Sequence, residues 1–131
     1  MNKIWNFFDS RAHAFLHAVR GLWYVIRTQR NAWIHAVVTT LVVLTAFWLH
    51  LLLRDWAVLL LTIALVWTAE FINTALEAVV DLASPQHHPL AKVGKDVGAA
   101  AVLIVALTSI FIGLLILGPP FWDKLKVHFG F

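Results

Sequence analysis

An all-α integral membrane fold is expected here: an N-terminal amphipathic surface helix plus three transmembrane helices, in one domain over residues 1–131. Three observations lead there. The chain is 61% hydrophobic and 13% charged, against about 45–50% apolar and about 25% charged in a soluble protein. A single small core cannot hide so much apolar surface, so a soluble enzyme is excluded. Seven Trp and nine Phe exclude intrinsic disorder. The second observation is two stretches free of Asp, Glu, Lys and Arg: 23 residues between Arg30 and Arg54, and 26 between Asp96 and Asp123. Each exceeds the roughly 20 residues that cross about 30 Å of hydrocarbon as a helix. The third is another apolar run, from Trp56 to about Leu82, stopped by Ser84-Pro85.

Residues 1–30 read as the surface helix. Phe8, Ala12, Phe15, Val19, Leu22 and Ile26 recur at three- and four-residue spacing on one face. His13, His17, Arg20, Tyr24 and Arg27 take the other, the pattern of a helix lying among headgroups. The first apolar span begins after this long charged stretch and lacks a small-residue cleavage site, so it is not read as a signal peptide. The spans are expected at about 31–53, 56–82 and 97–118, with a loop at 83–96 and a short aromatic end from Gly118-Pro119-Pro120 onward. Lys3, Arg11, Arg20, Arg27, Arg30, Lys92 and Lys95 fall on one side of such a layout, and Arg54, Lys124 and Lys126 on the other. The excess of basic residues puts the N-terminus and the 83–96 loop in the cytoplasm. The net charge of +3 reflects this bias; no dense basic run points to nucleic acid. With no cysteine there is no disulfide, thiol nucleophile or thiolate zinc site.

The second span carries the chemistry. Glu70, Asn73, Thr74, Glu77 and Asp81 stand at i, i+3, i+4, i+7 and i+11, one stripe of a helix. A carboxylate in hydrocarbon costs several kcal/mol, so the stripe faces protein, water or a cation. A packing stripe that merely joins helices is one reading; three acids and an Asn on one face favour a functional site. Glu70 and Glu77 lie about 10 Å apart along the axis, a separation suited to one proton and one metal ion. Downstream, Ser84-Pro85-Gln86-His87-His88-Pro89 forms a polar turn, and Lys95 and Asp96 open the next helix. Adjacent His87 and His88 do not make a tetrahedral zinc site, and no Walker, Rossmann or nucleophile-elbow motif occurs. Gly94, Gly98 and Ala99 to Ala101 make one face of the third span small, which permits close packing.

The strings from Glu70 to Asp81, His87-His88-Pro89-Leu90-Ala91-Lys92 and Lys95 to Leu103 resemble the small prokaryotic diacylglycerol kinases. The wording Asn73-Thr74-Ala75 and His87 to Lys92 is similar to the undecaprenol kinase branch. The resemblance implies a homotrimer that phosphorylates a membrane lipid alcohol, undecaprenol or diacylglycerol, with ATP as co-substrate and Mg²⁺ as cofactor. It makes Glu70 the base for the lipid hydroxyl and Glu77 a metal ligand. Arg11, His17, Gln29, Asn73, Glu77, Gln86, His87, His88, Lys95 and Asp96 become nucleotide contacts. The lipid is placed near Asn31, Trp33, His35, Trp48, Trp56, Glu70 and Ala99. Thr28-Gln29-Arg30-Asn31 departs from a family segment that usually has glutamate at the second place, a metal ligand; Gln29 keeps the oxygen and loses the charge. Two rival readings stand beside this one. A small proton-coupled transporter would use Glu70 as its intramembrane carboxylate, and a structural subunit would use the stripe only for assembly.

Overall fold

The computed structural model describes residues 2–130, with side chains from Asp9 onward, so the side chains of Lys3 and Phe8 lie outside the described residues. The described chain is four helices: α1 (Asn2–Thr28), α2 (Arg30–Trp48), α3 (Leu53–Ala83) and α4 (Pro89–Phe129). The last three are long and apolar enough to cross a membrane. At about 1.5 Å per residue, α2 matches the hydrocarbon thickness while α3 and α4 extend beyond it.

The interior is small and half polar. Buried hydrophobic side chains are Val25, Ala32, Ala46, Leu59, Val66 and Val102; beside them Thr62, Glu70, Asn73 and Thr74 are also buried. Large apolar side chains such as Leu53, Leu61, Phe111 and Leu115 point outward. This inverts the distribution of a soluble protein and suits a chain whose solvent is lipid. Buried Thr62 and Thr74 return their hydroxyls to the carbonyls of Val58 and Glu70 at 2.8 and 2.9 Å, so neither needs a partner on another helix.

Helices α2 and α3 run antiparallel, with His35 beside Glu70, Thr39 beside Trp67 and Phe47 beside Trp56. The same holds for α3 and α4, where Gly94 meets Val80 and Gly98 meets Asn73. Small residues let these two backbones approach, and α4 packs chiefly along α3. At the far end Trp48 stacks edge-on with Phe121 at 5.9 Å. There Lys124 donates to the carbonyl of Trp48, closing the end of α2 against α4.

Three boundaries differ from expectation. Helix α2 ends at Trp48 rather than at about 53, a short turn follows, and α3 is already under way at Leu53 rather than at 56. Proline is well placed in a helix's first turn, and His88 Nδ1 accepts from the amide of Leu90 at 3.2 Å, so α4 starts at Pro89 and only 84–88 remain as a turn. Residues 89–96 of the expected loop are helical. At the other end α4 runs through Pro119 and Pro120 to Phe129 rather than ending at Gly118. Prolines here remove two amides from the helical ladder without reversing the chain. Helix α1 is continuous through Arg20 and Gly21, and its apolar side chains Phe15, Val19 and Leu22 remain uncovered.

Candidate functional site

Helix α3 presents its polar stripe where α2 and α4 meet. Glu70 is the largest side chain buried completely, at 1% exposure. Its Oε2 has no hydrogen-bond partner and lies 3.9 Å from Nε2 of His35, which is likewise buried and unpartnered. That gap is too long for a direct hydrogen bond. His35 is held in place by the edge of Trp67, with ring centres 6.3 Å apart. Trp67 in turn donates from Nε1 to Thr39 Oγ1 at 3.3 Å.

One turn along, Asn73 Nδ2 donates to Glu77 Oε1 at 3.2 Å. Its Oδ1 is buried without a partner. A Cβ on Gly98 would collide with that oxygen, so the glycine is what allows α4 to lie over Asn73. Asn31, His35, Asn73, Glu77, Ala99 and Val102 are among the residues lining a cleft of about 320 Å³. A second cavity, about 360 Å³ and almost entirely apolar, runs from His35 through Val38, Leu59 and Ile110 to Phe121. His35 thus belongs to both. The turn makes a third cavity, about 680 Å³, walled by Asp81, Gln86, His87, His88, Lys95 and Asp96. There Lys95 Nζ pairs with Asp81 Oδ1 at 2.5 Å.

Gln29 separates α1 from α2 and has extended backbone; its side chain makes no capping hydrogen bond. It stands two residues from Asn31 in the cleft wall. Arg11 and His17 are exposed on α1, and Trp33 is exposed on α2. Trp48 and Trp56 sit at the opposite end of the bundle, Trp56 packed at a 55° tilt against Phe47 with ring centres 4.6 Å apart. They are about 20 Å along the helix axes from the Glu70 level and form no single site with Asn31, His35 and Ala99. His88 also serves as the α4 cap, a structural duty its motif did not reveal. Among the described residues no three His, Cys, Asp or Glu side chains converge as a metal-binding group.

Sequence reasoning did not find the His35–Glu70 and Asp81–Lys95 juxtapositions. Only helix register supplies the first, since the two residues lie on different spans. The second could have been sought by aligning the small face of α4 with α3.

Fold and site together define a small membrane protein of three spans built around a buried acid and a polar cleft. A model of the prokaryotic diacylglycerol kinase family matches residues 16–117. Similar proteins include an undecaprenol kinase of Bacillus subtilis, 42% identical over 118 residues, covering 90% of this chain and 93% of that one. A diacylglycerol kinase of Synechocystis is 44% identical over 108 residues, 82% of this chain and 62% of its own. The diacylglycerol kinase of Escherichia coli K12 is 31% identical over 123 residues, 88% and 94% of the two chains. This chain belongs to the prokaryotic diacylglycerol kinase family, on its undecaprenol kinase branch, and is a lipid kinase. The transporter reading is not favoured.

Proposed function

We propose that the chain transfers the terminal phosphoryl group of ATP, with Mg²⁺, to the hydroxyl of undecaprenol or diacylglycerol. It does so on the cytoplasmic side of the bacterial inner membrane, as the homotrimer the family resemblance implies. The observation that carries this reading is Glu70: a buried carboxylate with an unpartnered oxygen, 3.9 Å from the imidazole of His35, which lines both an apolar groove and a polar cleft. A lipid alcohol needs such a meeting of media, because its chain requires an apolar bed and its hydroxyl requires a base.

The residues fit a magnesium ion in part. Glu77 offers a charged oxygen and Asn73 an unpartnered amide oxygen, and Mg²⁺ is commonly held by one or two carboxylates together with water and substrate phosphate. Glu77 and Asn73 would hold it, with Gln29 near the same cleft. Bound there, the ion supplies neutralisation of phosphate charge. Lys95, with Gln86, His87 and Asp96 around it, forms the nucleotide side, where phosphate replaces Asp81 as the partner of the ammonium. Glu70 Oε2 takes the alcohol's proton as its oxygen attacks the terminal phosphorus. The new O–P bond forms while the bond to the bridging oxygen breaks, and that electron pair leaves with ADP. Positioning and charge suffice for such a transfer.

Radiolabelled ATP in mixed micelles, with undecaprenol and with diacylglycerol separately, tests the proposal. Label is expected in the lipid phosphate of at least one alcohol, dependent on Mg²⁺. Absence of label in both sinks it.

A further inference from the structure

We infer that His35 is a catalytic residue of the transfer: its Nε2–H and the Oε2 of Glu70 together cradle the acceptor hydroxyl. This rests on the lipid kinase reading and adds a second group at the alcohol oxygen.

The argument begins with two orphaned atoms. His35 Nε2 and Glu70 Oε2 are each buried without a hydrogen-bond partner, and they face each other across 3.9 Å. Leaving both unsatisfied is costly inside a protein. One is a donor in the Nε2–H tautomer and the other an acceptor. A hydroxyl is both donor and acceptor, so it satisfies the two at once. An oxygen about 2.8 Å from each atom closes a triangle on that 3.9 Å base with an angle near 90° at the oxygen. That lies within reach of the directions in which a hydroxyl gives and accepts.

The surroundings select an alcohol on a long chain. His35 lines the apolar groove towards Phe121 as well as the polar cleft with Asn73 and Glu77. A chain lying in the first delivers its terminal oxygen beside the imidazole, facing the second. Trp67 packs against the ring and is itself tied to Thr39, so the donor is held on α2 while the base is held on α3. With its proton directed to Glu70 and one lone pair held by His35, the oxygen keeps its other lone pair for phosphorus. The proton ends on Glu70, the oxygen on the phosphoryl group, and His35 keeps its own proton throughout.

The test compares the parent with H35F and H35L, which lack the donor, and H35Q, which restores one. Either donor-free variant suffices if the other fails to fold, as judged by ATP binding. The acceptor is whichever of undecaprenol and diacylglycerol the parent phosphorylates; its deoxy analogue serves as competitive inhibitor. Loss of the donor should lower kcat/KM for the alcohol about tenfold to a hundredfold. Affinity for the deoxy analogue should stay within about twofold, because that ligand has no oxygen to bind, and H35Q should recover most of the loss. Equal losses in H35Q and H35L, or an equal loss of affinity for the deoxy analogue, would overturn the inference and leave His35 a packing residue. A parent inactive on both lipids overturns the kinase reading and the inference with it. An active parent whose H35L variant is unimpaired overturns the inference alone.

Discussion

Replacing Gly98 with alanine puts one methyl group at the tightest approach of α4 to α3. The new Cβ would run into Asn73 Oδ1 and stand 3.1 Å from Leu76 Cδ2. The leucine methyl can swing aside; the amide cannot move freely, because Nδ2 is bonded to Glu77 Oε1. Overpacking of this kind costs about 1–3 kcal/mol, and displacing the amide forfeits a further hydrogen bond of about 0.5–1.5 kcal/mol. A loss of about 2–4 kcal/mol in unfolding free energy is expected for Gly98→Ala, with lipid phosphorylation falling as Glu77 loses its neighbour. Asn73→Ala removes the obstacle. In that background Gly98→Ala should cost little, giving a coupling of at least about 1 kcal/mol in a double-mutant cycle. Denaturant unfolding in detergent of the four proteins measures it. If Gly98→Ala destabilises both backgrounds equally, the contact between Gly98 and Asn73 does not control this interface, and the reasoning from it is wrong.

Glu70→Gln keeps shape and burial but removes the proposed base, so lipid phosphorylation should fall about 10²–10⁴-fold with ATP binding retained; activity above about a tenth of the parent's rejects this role. Glu77→Ala should raise the magnesium concentration needed for turnover, since it deletes a charged oxygen, and an unchanged magnesium titration of ATP affinity excludes it as a ligand. Gln29→Glu, two residues from the cleft, should raise activity at limiting magnesium by a few-fold to about a hundredfold, the usual range for changes around a metal. Superimposable magnesium curves for the parent and this variant would place the Gln29 side chain outside the metal's surroundings.

The spans were legible because membrane crossing writes itself into long uncharged runs: all of α2 after Arg30 lies within one, α4 contains the other, and α3 is recognised despite Glu70, Glu77 and Asp81 because those acids share a face. Helix ends were less so. Gly118-Pro119-Pro120 ordinarily signals a stop, yet α4 continues to Phe129, because propensity is overridden where flanking apolar turns are helical. The loop after α3 shrank for the opposite reason, as Pro89 with the His88 cap starts a helix earlier than Lys95 and Asp96 suggested. Within the candidate site, periodicity alone aligned Glu70, Asn73 and Glu77. What it could not supply was register between helices, which brings His35 to Glu70 and Lys95 to Asp81 and keeps Trp48 and Trp56 at the far end.

Glu70, Asn73, Glu77 and Asp81 all ride on α3, so backbone hydrogen bonds act as a ruler for them: about 1.5 Å and 100° for each residue, whatever else moves. Their partners come from other helices, His35 from α2 and Gly98 and Lys95 from α4. A small tilt of α2 therefore changes the 3.9 Å opening at Glu70 without altering the interval from Glu70 to Glu77. A scaffold divided this way lets a neighbouring helix repack while the fixed rod keeps Glu70 and Glu77 in step.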